Sequence, residues 1–518
     1  MKIALLFGSA IFLFPNISFN QEYIELMEGS DDIRLDGKTG SYIAKGNVVF
    51  KKQDTKLYCD SAYYNLTNNT IRAFGKVHLN KQNGLNMFCD SLNYNIKRDY
   101  AKMYSNVRVR DKEYRLTTSS LDFDFKNNVG IYRNSGLITS ISSSDQLSSV
   151  IGYFYPDTEQ FNFRKNVVYK NDEFTVKTDT LQFNGKSKKA LFFGPTDITS
   201  EDTKMYCEKG WYDLNNNLGV LEQNAFIDRK DIHIKADSLY YSSIENLYIG
   251  EKNVQIIDTA SNLTFQGDYA MNDAVKNFAF ITGHALIKRV DDDDTLYIHA
   301  DTLYNYSDAE GESSLMQAYY NVKILRGDMQ GVCDSLVYNR KAGEMNMYNN
   351  PTLWAKEAQL SGDTITLYEK DNKIQRAFLR KNGLVITHLD STNYYNQVAG
   401  TIMNAYFDST QIKRVDIVGS AKTIYFLEDE EVTDSVIIVN RKGMNRIYSS
   451  NISLGFKDGD IRTATYRENP DGILYPMNDI NKEEERVEQF KWNIEKRPLS
   501  WRDMIYSDQE KKAHPPSM

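Results

Sequence analysis

The residues best placed to do chemistry are aspartates followed by Ser or Thr. They occur at Cys59-Asp60-Ser61, Cys89-Asp90-Ser91-Leu92, Thr178-Asp179-Thr180-Leu181, Ala236-Asp237-Ser238-Leu239, Ala300-Asp301-Thr302-Leu303 and Cys333-Asp334-Ser335-Leu336. A ladder of carboxylates can chelate Ca²⁺ or work as acid and base on a glycosidic bond. Like charges one strand apart repel, however, unless each is satisfied locally. Asp followed by Ser or Thr also suits a strand-entry turn, where both side chains bond nearby backbone amides. The turn role is the expectation carried forward. Asp291-Asp292-Asp293-Asp294 lacks the glycine spacing of a Ca²⁺ loop and reads as a solvated hairpin tip. His78, His233, His284, His299, His388 and His514 are scattered without metal-ligand spacing. No Gly-x-Ser-x-Gly elbow, phosphate-cradling glycine loop or His-Glu-x-x-His helix occurs. The expectation is a chain without catalytic residues, metal or cofactor.

Cys59, Cys89, Cys207 and Cys333 all stand immediately before the acid of a repeat, where other copies carry Thr118, Thr178, Ala236, Ala300 and Gly362. A position that accepts Cys, Thr, Ala and Gly asks for a small side chain. A bridge between Cys59 and Cys89 in neighbouring copies is conceivable, but nothing in the sequence requires it.

These residues must be positioned by a repeat of about thirty residues, with weaker copies at Ser119-Ser120-Leu121, Glu208, Gly267-Asp268 and Gly362-Asp363-Thr364. Leu92 and Tyr94 alternate with Ser91 and Asn93, the period of two of a strand with one buried face. Asn95 to Asp99 supplies a turn; Ala101 and Met103 begin a second strand, and Val107 and Val109 resume the alternation after Asn106. A period in this range marks a stacked architecture. Tyr is abundant at 35 and Pro scarce at 9, which suits many short strands with polar turns. The net charge of −8 comes from interspersed acids and bases, leaving no basic face for nucleic acid.

Lys2 followed by the apolar run Ile3 to Phe14 reads as an export signal over 1–20, too short to span a bilayer well. Val487, Phe490 and Ile494 at helical spacing within the charged stretch Lys482 to Arg497 predict one amphipathic helix, able to cap the stack or dock on a partner. Tyr394–Asn440 is read as two or three further strands.

Gly40-Ser41-Tyr42-Ile43-Ala44-Lys45-Gly46-Asn47-Val48-Val49-Phe50, Ala73-Phe74-Gly75-Lys76-Val77-His78-Leu79 and Ile281-Thr282-Gly283-His284-Ala285-Leu286-Ile287 carry a Gly-x-Val-x-hydrophobic phrase. Together with Asp-Ser/Thr-Leu-x-Tyr, it resembles the OstA family over roughly residues 24–455. That family includes the lipopolysaccharide-transport protein LptA and the N-terminal domain of its outer-membrane partner LptD; the chain looks specifically like the OstA-like proteins of the Bacteroidetes, which are longer than LptA. The resemblance implies an all-β, elongated two-sheet β-jelly roll with an apolar groove, here with a short C-terminal helical tail. It also implies a non-enzymatic periplasmic carrier, at or short of the outer membrane. Such a carrier shelters the acyl chains of lipopolysaccharide and stacks by edge strands on LptC/LptD-like jelly-roll proteins. The alternatives are a carbohydrate-active or a structural, adhesive exported β-solenoid.

The predicted organisation is a signal at 1–20, jelly-roll repeats at 21–200 and 201–475, and a charged helix and tail at 476–518. Following the two strand columns along the chain nominates Leu92, Met103, Leu121, Ile131, Leu181, Val220, Leu239, Ile249, Phe280, Leu303, Leu336 and Met347 as groove-lining. A one-residue slip would turn any of them outward.

Overall fold

The computed structural model describes residues 24–291, 294–308, 313–327, 329–371, 373–389, 393–408, 411–433, 436–457 and 460–506. They form thirty-four strands, paired antiparallel throughout, in two compact units, Met1–Lys186 and Ser187–Met518. The stretch read as an export signal lies outside the described residues.

In the first unit, strands Ser41–Lys52, Thr55–Asn65, Thr70–Lys81, Asn86–Asn95, Tyr100–Arg110 and Tyr114–Asp124 pair in chain order. The second unit repeats the scheme from Lys189–Thr199 to Val436–Lys457, including Tyr395–Asp408 and Gln411–Thr433 where further strands were expected. Turn chemistry sets the hairpins. Asn65 Oδ1 accepts from the Asn68 amide at 2.8 Å and Asn95 Oδ1 from the Arg98 amide at 2.8 Å. Asn69, Asp99, Asn128, Asn217, Asn246 and Asn277 close their turns with positive φ, a conformation that short polar side chains tolerate.

Midway, alternate strands carry two consecutive left-handed residues, among them Ser105-Asn106, Gln223-Asn224 and Lys252-Asn253. There the register slips, so that the pair faces a single residue of the neighbour. Such a bulge bends the strand. Leu221 before the bend and Ala225 and Ile227 after it belong to one buried cluster. Each strand therefore serves two layers that face each other across a shared interior.

The inner rows follow the pairing. In the first unit Ala62 opposes Ala73, which leads to Leu92, Met103 and Leu121. In the second, the row passes from Leu221 and Leu239 through Ile281, Leu303, Leu336 and Met347 to Met403 and Ile452. Its counterpart in the other layer is Ile227, Ile234, Ile256, Phe265, Ile287 and Ile298.

The C-terminal stretch differs from the expected helix. Residues 482–497 contain a single 3₁₀ turn at Ile494–Lys496, and the α-helix is a short one at Trp501–Ile505. Glutamine side chains hold the rest, which runs in turns and irregular chain. Gln397 accepts from the Val487 amide at 2.9 Å and donates to the Glu485 carbonyl at 2.8 Å. Gln359 does the same with the Asn493 amide at 2.8 Å and the Lys491 carbonyl at 2.7 Å. A helix would consume those backbone groups internally. Arg497 Nε reaches Gln330 at 2.8 Å. Gln330, Gln359 and Gln397 share one outward row with Trp354 and Ile386. The stretch is thus a strap across the outside of one layer, where Val487, Phe490 and Trp492 close a second cluster over Leu384, Ile386, Ile424 and Phe426.

Candidate binding interior

The aspartates are structural, and their role is not the predicted turn. Asn106 Nδ2 donates to Asp90 at 2.7 Å, Asn253 Nδ2 to Asp237 at 3.1 Å, Asn321 Nδ2 to Asp301 at 3.0 Å, and Asn349 and Asn382 to Asp334 and Asp363, both at 3.0 Å. Glu208 holds Asn224 at 2.8 Å, and Asp268 holds His284 Nδ1 at 2.8 Å. Each acid clamps a left-handed residue at the following bend. At Gly75 and Gly283, with φ of 73° and 71°, the first of the pair is glycine, and a Cβ would fall 2.5 and 2.7 Å from the carboxylates of Asp60 and Asp268. The two sequence phrases are therefore the halves of one bulge clamp. Each of these carboxylates is thus engaged by a side chain of its own chain, an asparagine amide or, at Asp268, the His284 imidazole.

The four cysteines are free and buried at this bend, and burial pushes their thiols up to about 11 or 12. They pack as small apolar groups, as their interchange with Ala236 and Ala300 implied. Among the described residues no group of three His, Cys, Asp or Glu side chains converges as a metal site.

Eight of the nominated residues face the interior: Leu92, Met103, Leu121, Leu181, Leu239, Leu303, Leu336 and Met347 are each 0–4% exposed. The other four do not. Ile131 opposes Asp122 on the outer side, and Val220, Ile249 and Phe280 line an outward row with Tyr240, Met271 and Tyr304. The slip has a physical source. The inward positions beside them are small, Gly130, Gly219, Gly250 and Ala279, so the larger apolar residue marks the wrong face. At the hairpin turns that precede the misread strands, the residue two or four past the left-handed turn residue points inward: Gly130 two past Asn128, Gly219 two past Asn217, Gly250 four past Asn246 and Ala279 two past Asn277, as do Ile71 two past Asn69 and Ala101 two past Asp99. That count is readable in the sequence and fixes the register.

Among the described residues the inner rows are closely packed. A cavity of about 30 Å³ lies among Leu116, Leu121, Tyr132 and Phe163, and one of about 20 Å³ among Ile324, Met345, Leu353 and Leu367. A larger one, about 230 Å³, opens at the mouth of the first unit between Phe50, Leu57, Leu79, Lys52, Lys81 and Asp99. Where the hairpin tips of the two layers meet, ion pairs join them. In the first unit Lys52, 6% exposed, meets Asp99 at 2.9 Å. In the second, Glu369 accepts from Arg289 at 2.9 Å, Arg326 at 3.1 Å and the Tyr338 hydroxyl at 2.6 Å. Burial opposes the Glu369 charge, but Tyr338 and the two guanidiniums outweigh it and hold its carboxyl below the usual range. Asp291, read as solvated, binds Arg289 and Arg326 instead, and Asp294 also reaches Arg326. Asp292 and Asp293 lie outside the described residues.

Comparison with known proteins bears on this architecture. Residues 23–179 match the family model of the OstA-like protein, and residues 265–373 that of the LptA/(LptD N-terminal domain) LPS transport protein. No curated protein matches the chain. A solved structure similar in part is LptH of Pseudomonas aeruginosa, described as the LptA-homologous periplasmic component of the lipopolysaccharide transport device. It is 15% identical, covers 29% of this chain and 95% of its own, and has a TM-score of 0.21. The chain thus carries an OstA-like stretch in its first unit and a stretch similar to the LptA/(LptD N-terminal domain) LPS transport protein in its second.

Proposed function

We propose that the chain is a periplasmic carrier of lipopolysaccharide, sheltering acyl chains between its two layers on the way to the outer membrane. The carrying observation is the inner row of mainly aliphatic and thioether side chains, from Leu221 to Ile452 in the second unit and through Leu92, Met103 and Leu121 in the first. Each buried CH₂ of an acyl chain is worth about 0.8 kcal/mol, which needs no specific chemistry from the wall. Because the interior is packed, loading requires the layers to part and exchanges side-chain contacts for acyl contacts. The family descriptions support the ligand class.

The same reading assigns the sheet edges to jelly-roll partners of the Lpt type. Strand Asp32–Asp36 pairs on one side with Ser41–Lys52, and among the described residues no strand covers its other side. Ile33 and Leu35 stand 51% and 60% exposed there. Beyond Val436–Lys457, strand Asp471–Pro476 exposes Ile473 and Leu474 at 54% and 61%. An open strand edge invites addition of another strand.

Photo-reactive residues separate inside from outside. Introduced at Leu92, Met103, Leu239, Leu303, Leu336 and Met347, they should crosslink to lipopolysaccharide, and at Ile131, Val220, Ile249 and Phe280 they should not. Equal labelling of both sets, or labelling of neither, would sink the carrier reading.

A further inference from the structure

We propose that the cavity at the mouth of the first unit binds the phosphorylated headgroup of an amphiphile, with Lys52 and Lys81 as its cations. The inference rests on the carrier reading and adds to it the place of the polar end.

Lys52 ends an inward series of Val48 and Phe50, and Lys81 ends the series Val77 and Leu79. Both face Thr55, on the strand between them. Their backbones are therefore two strand spacings apart, about 10 Å, a distance that flexible lysine stems close easily around one phosphate. The floor of the cavity is apolar, made by Phe50, Leu57, Leu79 and Phe125; the rim is Lys52, Lys81, Thr55, Asp54 and Asp99. That is the division an amphiphile has.

A lysine is seldom buried unless paired. Lys52 Nζ bonds Asp99 at 2.9 Å and the Ile96 carbonyl at 3.4 Å, and lies 5.8 Å over the Tyr94 ring. Lys81 Nζ donates to the neutral amide oxygen of Asn128 at 3.1 Å. Two lysines against two aspartates leave the rim near neutrality, so a weakly charged head gains little there. A phosphate monoester carries about −1.5 to −2 and three strong acceptor oxygens, enough to take Lys52 from Asp99 and Lys81 from Asn128. In the second unit the corresponding arginines, Arg289 and Arg326, are already engaged by Glu369 and Asp291, and the space beneath them is about 20 Å³. Of these two layer-end sites, the one in the first unit has the room for a headgroup.

The test uses the full mature chain and three probes: a bis-phosphorylated acylated glucosamine disaccharide, the same molecule without phosphates, and inorganic phosphate. The phosphorylated amphiphile should bind at least tenfold tighter than the dephosphorylated one. Lys81→Gln should remove most of that ratio, Lys52→Gln should remove it further, and Asp99→Asn should widen it by freeing Lys52. Lys81 is part-exposed with a neutral partner, so its variant informs even if Lys52→Gln fails to fold. Equal binding of the two amphiphiles, or a ratio untouched in Lys81→Gln, overturns the headgroup site while interior crosslinking keeps the carrier reading. Full competition by inorganic phosphate alone would make this a phosphate site and overturn the assignment. Failure of both amphiphiles to bind brings down the carrier reading as well.

Discussion

Asp237 and Asn253 stand sixteen residues apart and meet across two strands. Asn253 adopts a φ of 52°, which costs an L side chain about 1 kcal/mol, less for asparagine. A hydrogen bond to a charged group contributes about 1.5–3 kcal/mol when shielded and less in the open, as here. Asn253→Ala should therefore lose about 1–2 kcal/mol in denaturant unfolding, and Asn253→Gly should recover the backbone share alone. Asp237→Ala in the Asn253→Ala background should add little. Full additivity would show that the two do not act as a clamp. The acids and the Gly-x-Val phrases were both legible in the sequence. Their union was not, because it runs between strands with an offset that drifts from 16 at Asp90 and Asn106 to 20 at Asp301 and Asn321.

Strand existence was legible for a similar reason: alternation around Leu92 and Tyr94 survives any context. The facing of Val220 and Phe280 was misread because glycine and alanine occupy the inward positions, and turn residues rather than hydrophobicity carry the register there. The strap was beyond reach. Val487 and Phe490 at helical spacing describe burial equally well when the partners are glutamines on another surface. At its far end the helix Trp501–Ile505 packs on the strands that carry His299 and Lys323, and Lys323 donates to the Asp503 and Met504 carbonyls at 3.1 and 2.9 Å. His299 is 7% exposed and its Nδ1–H donates to the Ala285 carbonyl at 2.8 Å. Burial, aided by Lys323, lowers its pKa to about 4. Between that value and the unfolded one, near 6.5, the unfolded chain holds the extra proton. Stability should therefore rise with pH across this window and fall by about 3 kcal/mol at most on acidification through it. His299→Gln should flatten that part of the pH–stability curve, and an unchanged slope would assign it to other groups.

At the scale of the whole molecule, the thirty-residue repeat made the class of fold legible because each copy repeats both the strand and the bend. The two units were not marked by composition, since the repeat continues on either side of Lys186. What the second unit adds is the strap, which follows in chain order every strand that it covers. Removing residues 477–518 should uncover Leu384, Ile386, Ile424 and Phe426, now 0–1% exposed. Such a chain should bind a hydrophobic dye and self-associate, while Gln359→Ala with Gln397→Ala should weaken the strap in part. A truncated protein that stays monomeric and dye-silent would show that the strap is dispensable.

The same order gives the strap a temporal meaning. Until the strap has arrived, the chain displays an oily surface on an otherwise finished layer; afterwards it does not. A copy that stops short of the strap keeps that surface, and any holdase or protease that recognises exposed apolar strands can tell it from one that has made the strap.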